Sequence, residues 1–379
     1  MKKKTTTYFD YNLLVVLIFL VCFGLVMLYS ASAYESQAAN NGNSMHYFTR
    51  QALFSAISFA AMIFISKIDY HVYALFAKWI YWGSIVIMAL VLTPLGIEVN
   101  GSKRWLPIVP GINFQPSEMA KIAVILFIPL VICQLGKNAS KAAGIVRILA
   151  WGLIAAGAVF FFTDNLSTAV IVGGITVILI FVVHPMTKEF FMLGGAGLAL
   201  ILAAVWFLST AIDTSDNFRI RRILVWLHPE DYAAEGGYQV MQGLYAIGSG
   251  GFFGKGLGNS TQKLGVIPEI QNDMILSVIC EELGVFGAIV IIVLFCFLLY
   301  RLLFIARNAP DLYGSLIATG IFGHISLQVI LNIMVVTNII PTTGVTLPFI
   351  SYGGTSVMFL MIEMGIALGI SRTIKISDE

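Results

Sequence analysis

Runs of about twenty apolar residues recur along this chain, near 12–32, 51–67, 75–95, 117–135, 145–162, 166–184, 189–209, 274–304, 312–337 and 346–370. Nothing else in the sequence limits the fold as strongly. A helix needs roughly 20 residues to cross hydrocarbon, and lipid leaves no partner for an unpaired backbone group. The runs are continuous and do not alternate, so they predict an all-α polytopic membrane protein with about ten transmembrane helices. Composition agrees, since 58% of residues are hydrophobic and 11% are charged, where soluble domains carry about a quarter charged. "MKKK" leads into the first run without a small-residue cleavage site and reads as the inner flank of a span that stays.

The connections are short except Thr210 to Asn272, which is polar, glycine-rich and charged. No internal repeat divides the chain, so residues 1–379 read as one membrane domain with one large extracytoplasmic loop, about 210–272. Lys and Arg fall mostly on the side of the N-terminus, which predicts both termini in the cytoplasm and the long loop outside. The cations expected outside gather in "NGSKRW" (Asn100 to Trp105) and in the long loop, a placement that suggests an anionic ligand such as a lipid phosphate or pyrophosphate. A net charge of +2, with no basic run interleaved with aromatics, excludes nucleic acid as a partner. Cys22, Cys133, Cys280 and Cys296 lie in or beside apolar runs and form no CxxC. His46, His71, His184, His228 and His324 show no metal-ligand spacing.

Five stretches carry chemical groups. In "NGSKRWLPIVPGINFQPSEMAK" two turn signals precede a helix start at Pro116 and Ser117. This stretch is too polar to span and is expected to lie along the outer surface, with Glu118 and Lys121 three apart on one helical face. "TDNLSTA" is a polar island in which Asp164 or Asn165 caps the next helix. "GSGGFFGKGLGNSTQK" places glycines where backbone approaches closely, either to a ligand or within a compact loop. "VIPEIQNDMILSVICEELG" puts Glu269, Asp273, Glu281 and Glu282 at the mouth of an apolar run. Asp273 stands where a helix N-cap belongs, a setting that keeps a carboxylate ionised and fit to act as a general base. "PTTGVTLPFISYGGTS" breaks the helix between the last two spans, and Glu363 lies deeper in the last one without a partner legible in sequence.

Together "NGSKRW", "QPSEMAK", "RIRR", "GYQVMQGLYAIGSGGFFGKGLGNSTQK", "PEIQNDMI", "EELG" and "PFISYGGTS" resemble the SEDS family of FtsW, RodA and SpoVE, in order over residues 100–356. The loop motifs look more like FtsW or SpoVE than RodA. Two departures stand out: "DNLST" carries Asp164 where the family has proline, and "DMIL" lacks two aromatics of the usual motif beside Asp273. The resemblance implies a peptidoglycan glycosyltransferase of the bacterial cytoplasmic membrane. It would polymerise lipid II on the outer face for division, cell shape or spore wall, beside a class B penicillin-binding protein and other divisome or elongasome proteins. The acid of the family's "PExxxD" pattern falls on Asp273, and Arg104, Trp105, Glu118 and Lys121 match further cavity-lining motifs.

The reaction so implied is attack of a sugar 4-hydroxyl on an anomeric carbon, with inversion and departure of undecaprenyl pyrophosphate. Asp273 takes the proton, and Arg104, Lys121, Arg219, Arg222, Lys255 and Lys263 are candidates to bind pyrophosphate. Glu269 and Ser351 complete the candidate substrate-binding set. No cofactor is indicated; a divalent cation, Mg or Mn, stays open as a helper although no ligand set is visible. Two rivals remain. A lipid II flippase should show paired broken spans in two repeated halves, and a non-catalytic divisome scaffold would have no use for a lipid pyrophosphate beside Asp273.

Overall fold

The computed structural model describes residues 6–39, 43–99, 102–109, 112–184, 188, 192, 194, 195, 218–263 and 270–376. Among them nine helices are long and apolar enough to cross a membrane. They are α1 (Tyr11–Ala39), α2 (His46–Ile65), α3 (His71–Leu90), α4 (Pro116–Leu135), α5 (Ala142–Thr163), α6 (Leu166–Val183), α9 (Ile275–Asn308), α10 (Leu312–Val336) and α11 (Gly354–Ser371). The expected span near 189–209 lies outside the described residues. Two shorter helices, α7 (Phe218–Leu227) and α8 (Gly237–Ser249), occupy the region read as one long loop.

Burial sorts the helices. The apolar stretches of α4, α10 and α11 are 67%, 61% and 72% buried, against 22% for α2 and α3. The first three therefore form the middle of the bundle, and the polar side chains they carry meet one another and not lipid. On α2 and α3 large side chains such as Phe64, Leu75 and Trp79 face outward, as lipid-facing helices require.

The polar stretch before α4 is not irregular. It folds into an antiparallel three-stranded meander of β2 (Ile97–Val99), β3 (Ser102–Val109) and β4 (Ile112–Phe114), with Ile97 opposite Trp105 and Leu106 opposite Phe114. The turn signal "NG" and the end of "PIVPG" lie outside the described residues, between strands that pair antiparallel on either side of them. At the other end of the bundle, β1 (Thr6–Thr7) pairs antiparallel with β5 (Lys375–Ile376), which brings both ends of the chain to one side. There Arg301 holds the fully buried Asp10 at 2.7 Å, and Asp10 accepts from the backbone N–H of Leu13 at the start of α1.

Asn165 caps α6, its side-chain oxygen accepting from the Thr168 N–H at 3.1 Å, while Asp164 closes α5 in the left-handed region at φ 47°. The cap falls to Asn165 because Asp164 is turned back toward β3. Asn165→Ala should lower stability by about 1 kcal/mol, read as a fall in the thermal unfolding midpoint of the purified protein.

Candidate active site

The described parts of the connections 91–115, 164–165, 218–274 and 337–353 meet at one end of the bundle. The segment after α10 organises them. Pro341 and Pro348 cannot continue a helix, and Ser351 closes the turn by accepting the Leu347 N–H at 2.9 Å. Phe349 sits at φ 64°, a strained value for a bulky residue. It is held there because the Phe349–Ile350 backbone packs against Gly24 of α1. A Cβ at Gly24 would come within 2.8 Å of that backbone. Gln51 of α2 accepts from Gly353 N–H at 3.2 Å, and the Gln271 carbonyl accepts from Tyr352 N–H at 2.9 Å.

Asp273 stands at the centre of this end. The helix begins one residue later than its sequence position suggested: Met274 occupies the N-cap of α9, with no side-chain cap. Asp273 therefore lies in the turn before α9, not at its cap, and its side chain is half-buried. Its carbonyl accepts from the Asn332 side-chain N–H at 2.9 Å, which ties it to α10. From α7, the Arg222 guanidinium donates to the Thr342 carbonyl at 3.1 Å. Its pKa is lowered, first by burial and then by the neighbouring Arg104 guanidinium, with Asp273 and Asp164 acting in the opposite sense. Two arginines thus crowd one another beside two carboxylates, and an incoming anion would relieve that crowding.

Arg104 is placed by β3. It donates to the Asp164 carbonyl at 2.9 Å, and Ser102 donates to the Asp164 carboxylate at 3.1 Å. Asp164 is therefore a brace for the hairpin. Trp105 follows on the same strand and is half-buried. Below the hairpin, Glu118 and Lys121 form the expected pair on one face of α4 at 2.9 Å, both buried, and Ser356 of α11 donates to Glu118 at 3.2 Å.

Lys255 and Lys263 go elsewhere. Lys255 pairs with Glu281 at 2.6 Å and Lys263 with Glu282 at 2.7 Å, both carboxylates being fully buried. Glu281 also accepts from Ser260, from the Thr261 hydroxyl at 2.9 Å and from the Thr261 N–H at 3.2 Å; Glu282 accepts from Ser30 at 2.7 Å. The glycine-rich loop is a structural insert. At Gly284, φ 68° and ψ −163°, α9 breaks. The Glu281 and Glu282 carbonyls, which in an unbroken helix would accept from residues 285 and 286, accept instead from Lys255 N–H and Gly256 N–H at 2.9 Å. Val285 and Phe286 donate to Gly251 and Phe252 at 3.0 Å. Glycine is required at this contact, since a Cβ at Gly254 would lie 2.1 Å from the Glu282 carbonyl oxygen. The close backbone approach is to the chain's own helix.

The side chain of Arg219 and the whole of Glu269 lie outside the described residues. Three buried residues escaped the sequence reading. His324, Gln328 and Asn332 share one face of α10, and His324 is the partner of Glu363, Nδ1 to Oε2 at 2.7 Å. Their spacing of four within an apolar helix was the available signal. Among the described residues no three metal-ligating side chains converge.

Comparison with known proteins is specific. The FTSW_RODA_SPOVE family model, described as "Cell cycle protein", matches residues 10–376. Stage V sporulation protein E of Bacillus subtilis is 38% identical over 373 residues, covering 98% of each chain. The probable peptidoglycan glycosyltransferase FtsW of Trichlorobacter lovleyi is 34% identical, over 97% of this chain and 94% of its own. A solved chain from a study of how a peptidoglycan synthase complex coordinates polymerization and crosslinking superposes with TM-score 0.77 at 26% identity, over 96% of this chain and 98% of its own. Thermus thermophilus RodA, at 24% identity and TM-score 0.66, shares the fold.

Proposed function

The chain belongs to the FtsW/RodA/SpoVE family of cell cycle proteins, and from that premise we propose that it is a peptidoglycan glycosyltransferase acting in cell division or sporulation. The observation that carries the proposal is Asp273, held by Asn332 beside the Arg222 and Arg104 guanidiniums at one end of a membrane bundle. A base and an anion site side by side suit a displacement in which a lipid-linked pyrophosphate departs.

The substrate is lipid II, in the outer leaflet of the bacterial cytoplasmic membrane, with both termini in the cytoplasm. The 4-hydroxyl oxygen of one sugar forms a bond to the anomeric carbon of the other. The bond from that carbon to pyrophosphate oxygen breaks with inversion, and the pyrophosphate keeps the electron pair. Asp273 takes the hydroxyl proton. Arg222 and Arg104 bind the pyrophosphate and stabilise the charge that grows on it. Lys121, with Glu118, lies deeper and supports the same face; Trp105 and Ser351 line it. Lys255 and Lys263 keep the loop and α9 in place. The partner is a class B penicillin-binding protein, which would crosslink the product. Support for the outward placement comes from Asp273, Arg222 and Arg104, which lie at the end of the bundle away from the paired β1 and β5.

The test is reconstitution. The purified chain and a class B penicillin-binding protein, in liposomes given lipid II, should yield long glycan strands that muramidase digests. Lipid II that crosses the bilayer without being polymerised would overturn the proposal in favour of a transporter.

A further inference from the structure

Polar side chains within the buried middle of the bundle must all find partners. His324, Gln328 and Asn332 recur every fourth residue along α10, which stacks them on one face about 6 Å apart. None is more than 3% exposed. The Asn332 amide donates to the carbonyls of Asp273 at 2.9 Å and Val345 at 2.7 Å. One turn deeper, the Gln328 amide nitrogen donates to the Thr346 carbonyl at 3.1 Å, and its oxygen accepts from Lys121 at 3.4 Å. That same oxygen faces His324 Nε2 at 2.9 Å, and His324 Nδ1 faces Glu363 at 2.7 Å.

The direction of every bond around Gln328 is forced. The Thr346 carbonyl only accepts and the Lys121 ammonium only donates, so the carboxamide has its nitrogen toward Thr346 and its oxygen toward Lys121. His324 Nε2, facing that oxygen, must then carry hydrogen. One further proton lies between His324 Nδ1 and Glu363, and the pair has no net charge whichever atom holds it. The network therefore adds no charge beneath Lys121 while fixing where the ammonium points.

We infer that His324 is a positioning residue for the glycosyl transfer proposed above, and the inference rests on that proposal. His324 locks the Gln328 carboxamide, and Gln328 sets the direction of Lys121. Without the imidazole N–H the Gln328 oxygen keeps only the 3.4 Å bond from Lys121, at the long limit of a hydrogen bond, and is free to swing away from the ammonium. Lys121 then leaves Gln328 for Glu118 alone, one helical turn from the residue that anchors Asp273. Substrate binding groups at Arg222 and Arg104 are untouched.

The test compares His324→Leu, His324→Gln, Gln328→Leu and the His324→Leu/Gln328→Leu double variant in lipid II polymerisation with the partner present. His324→Leu should lower kcat by roughly 10- to 100-fold, the cost of a misplaced group, with KM for lipid II within about twofold. His324→Gln should restore most of the rate, because its amide N–H donates to Gln328 as the imidazole does. The double variant should be no slower than Gln328→Leu alone. Multiplicative losses, no rescue by His324→Gln, or a change carried in KM would overturn the inference. Nitrogen NMR of histidine-labelled wild-type protein supplies a second reading that requires neither turnover nor a folded variant. His324 Nε2 should carry hydrogen in the resting protein. An unprotonated Nε2 overturns the lock and leaves the proposed reaction standing; a wild-type chain that makes no glycan overturns the reaction itself.

Discussion

Asp273→Asn is expected to reduce glycan polymerisation by about 10²- to 10⁴-fold, the usual contribution of a positioned general base. The substitution is isosteric and keeps the feature that holds the residue, the Asn332 bond to its backbone carbonyl. The unfolding midpoint and the complex with the partner should therefore be those of the wild type. What disappears is the capacity to take a proton. Loss of the carboxylate also removes one of the two acids that oppose the lowering of the Arg222 pKa, so the guanidinium pair faces a bound pyrophosphate with more uncompensated charge. Binding of the leaving group should be equal or tighter while turnover falls. Strand synthesis by Asp273→Asn at the wild-type rate, from protein of equal stability, would remove the residue from the mechanism.

Lys263→Met is expected to be the most destabilising change in the glycine-rich loop. It leaves Glu282, fully buried and bonded otherwise only to Ser30 among the described residues, without its cation. Removing one partner of a buried pair costs about 3–5 kcal/mol, far more than the intact pair contributes over an apolar replacement. The purified variant should lose its sharp thermal transition or show it many degrees lower. The double variant Lys263→Met/Glu282→Gln should recover most of the loss, because the carboxamide still accepts from Ser30 and carries no charge. If the single and double variants were equally unstable, Lys263 would matter through its stem and not through its charge.

The helices were legible because a bilayer imposes a length and a polarity that local sequence must obey. The Glu118–Lys121 pair was legible for a similar reason: it is a local spacing, and the two groups stand 2.9 Å apart. The partners of Glu281 and Glu282 were not. Lys255 and Lys263 lie 26 and 19 residues away in sequence, and loop cations on the face expected to meet an anionic substrate read naturally as ligands. Only the fold shows that they answer carboxylates placed by a helix. The glycines of the same loop were ambiguous for the same reason, since close backbone approach does not say to what. His324 is isolated when histidines are compared for metal-ligand spacing, yet at helical spacing it begins a polar stripe with Gln328 and Asn332. The start of α9 was misjudged by one residue, because the propensity of Asp to cap was outweighed by the turn that Asn332 anchors.

The four hydrogen bonds exchanged at Gly284 decide how force travels through the molecule. Ahead of the break, residues 275–283 are fastened to the inserted loop by the same backbone groups that a continuous helix would have used to fasten them to its own lower half. The long helix is thus two segments end to end, and the loop is bonded to both of them at the joint. Phe252 and Phe253 are exposed and packed edge-on at the surface of that loop, and Asp273 lies just before the first segment. A partner seated on the two aromatic rings would therefore bear on both halves of the helix at its break, through bonds that no continuous helix could offer.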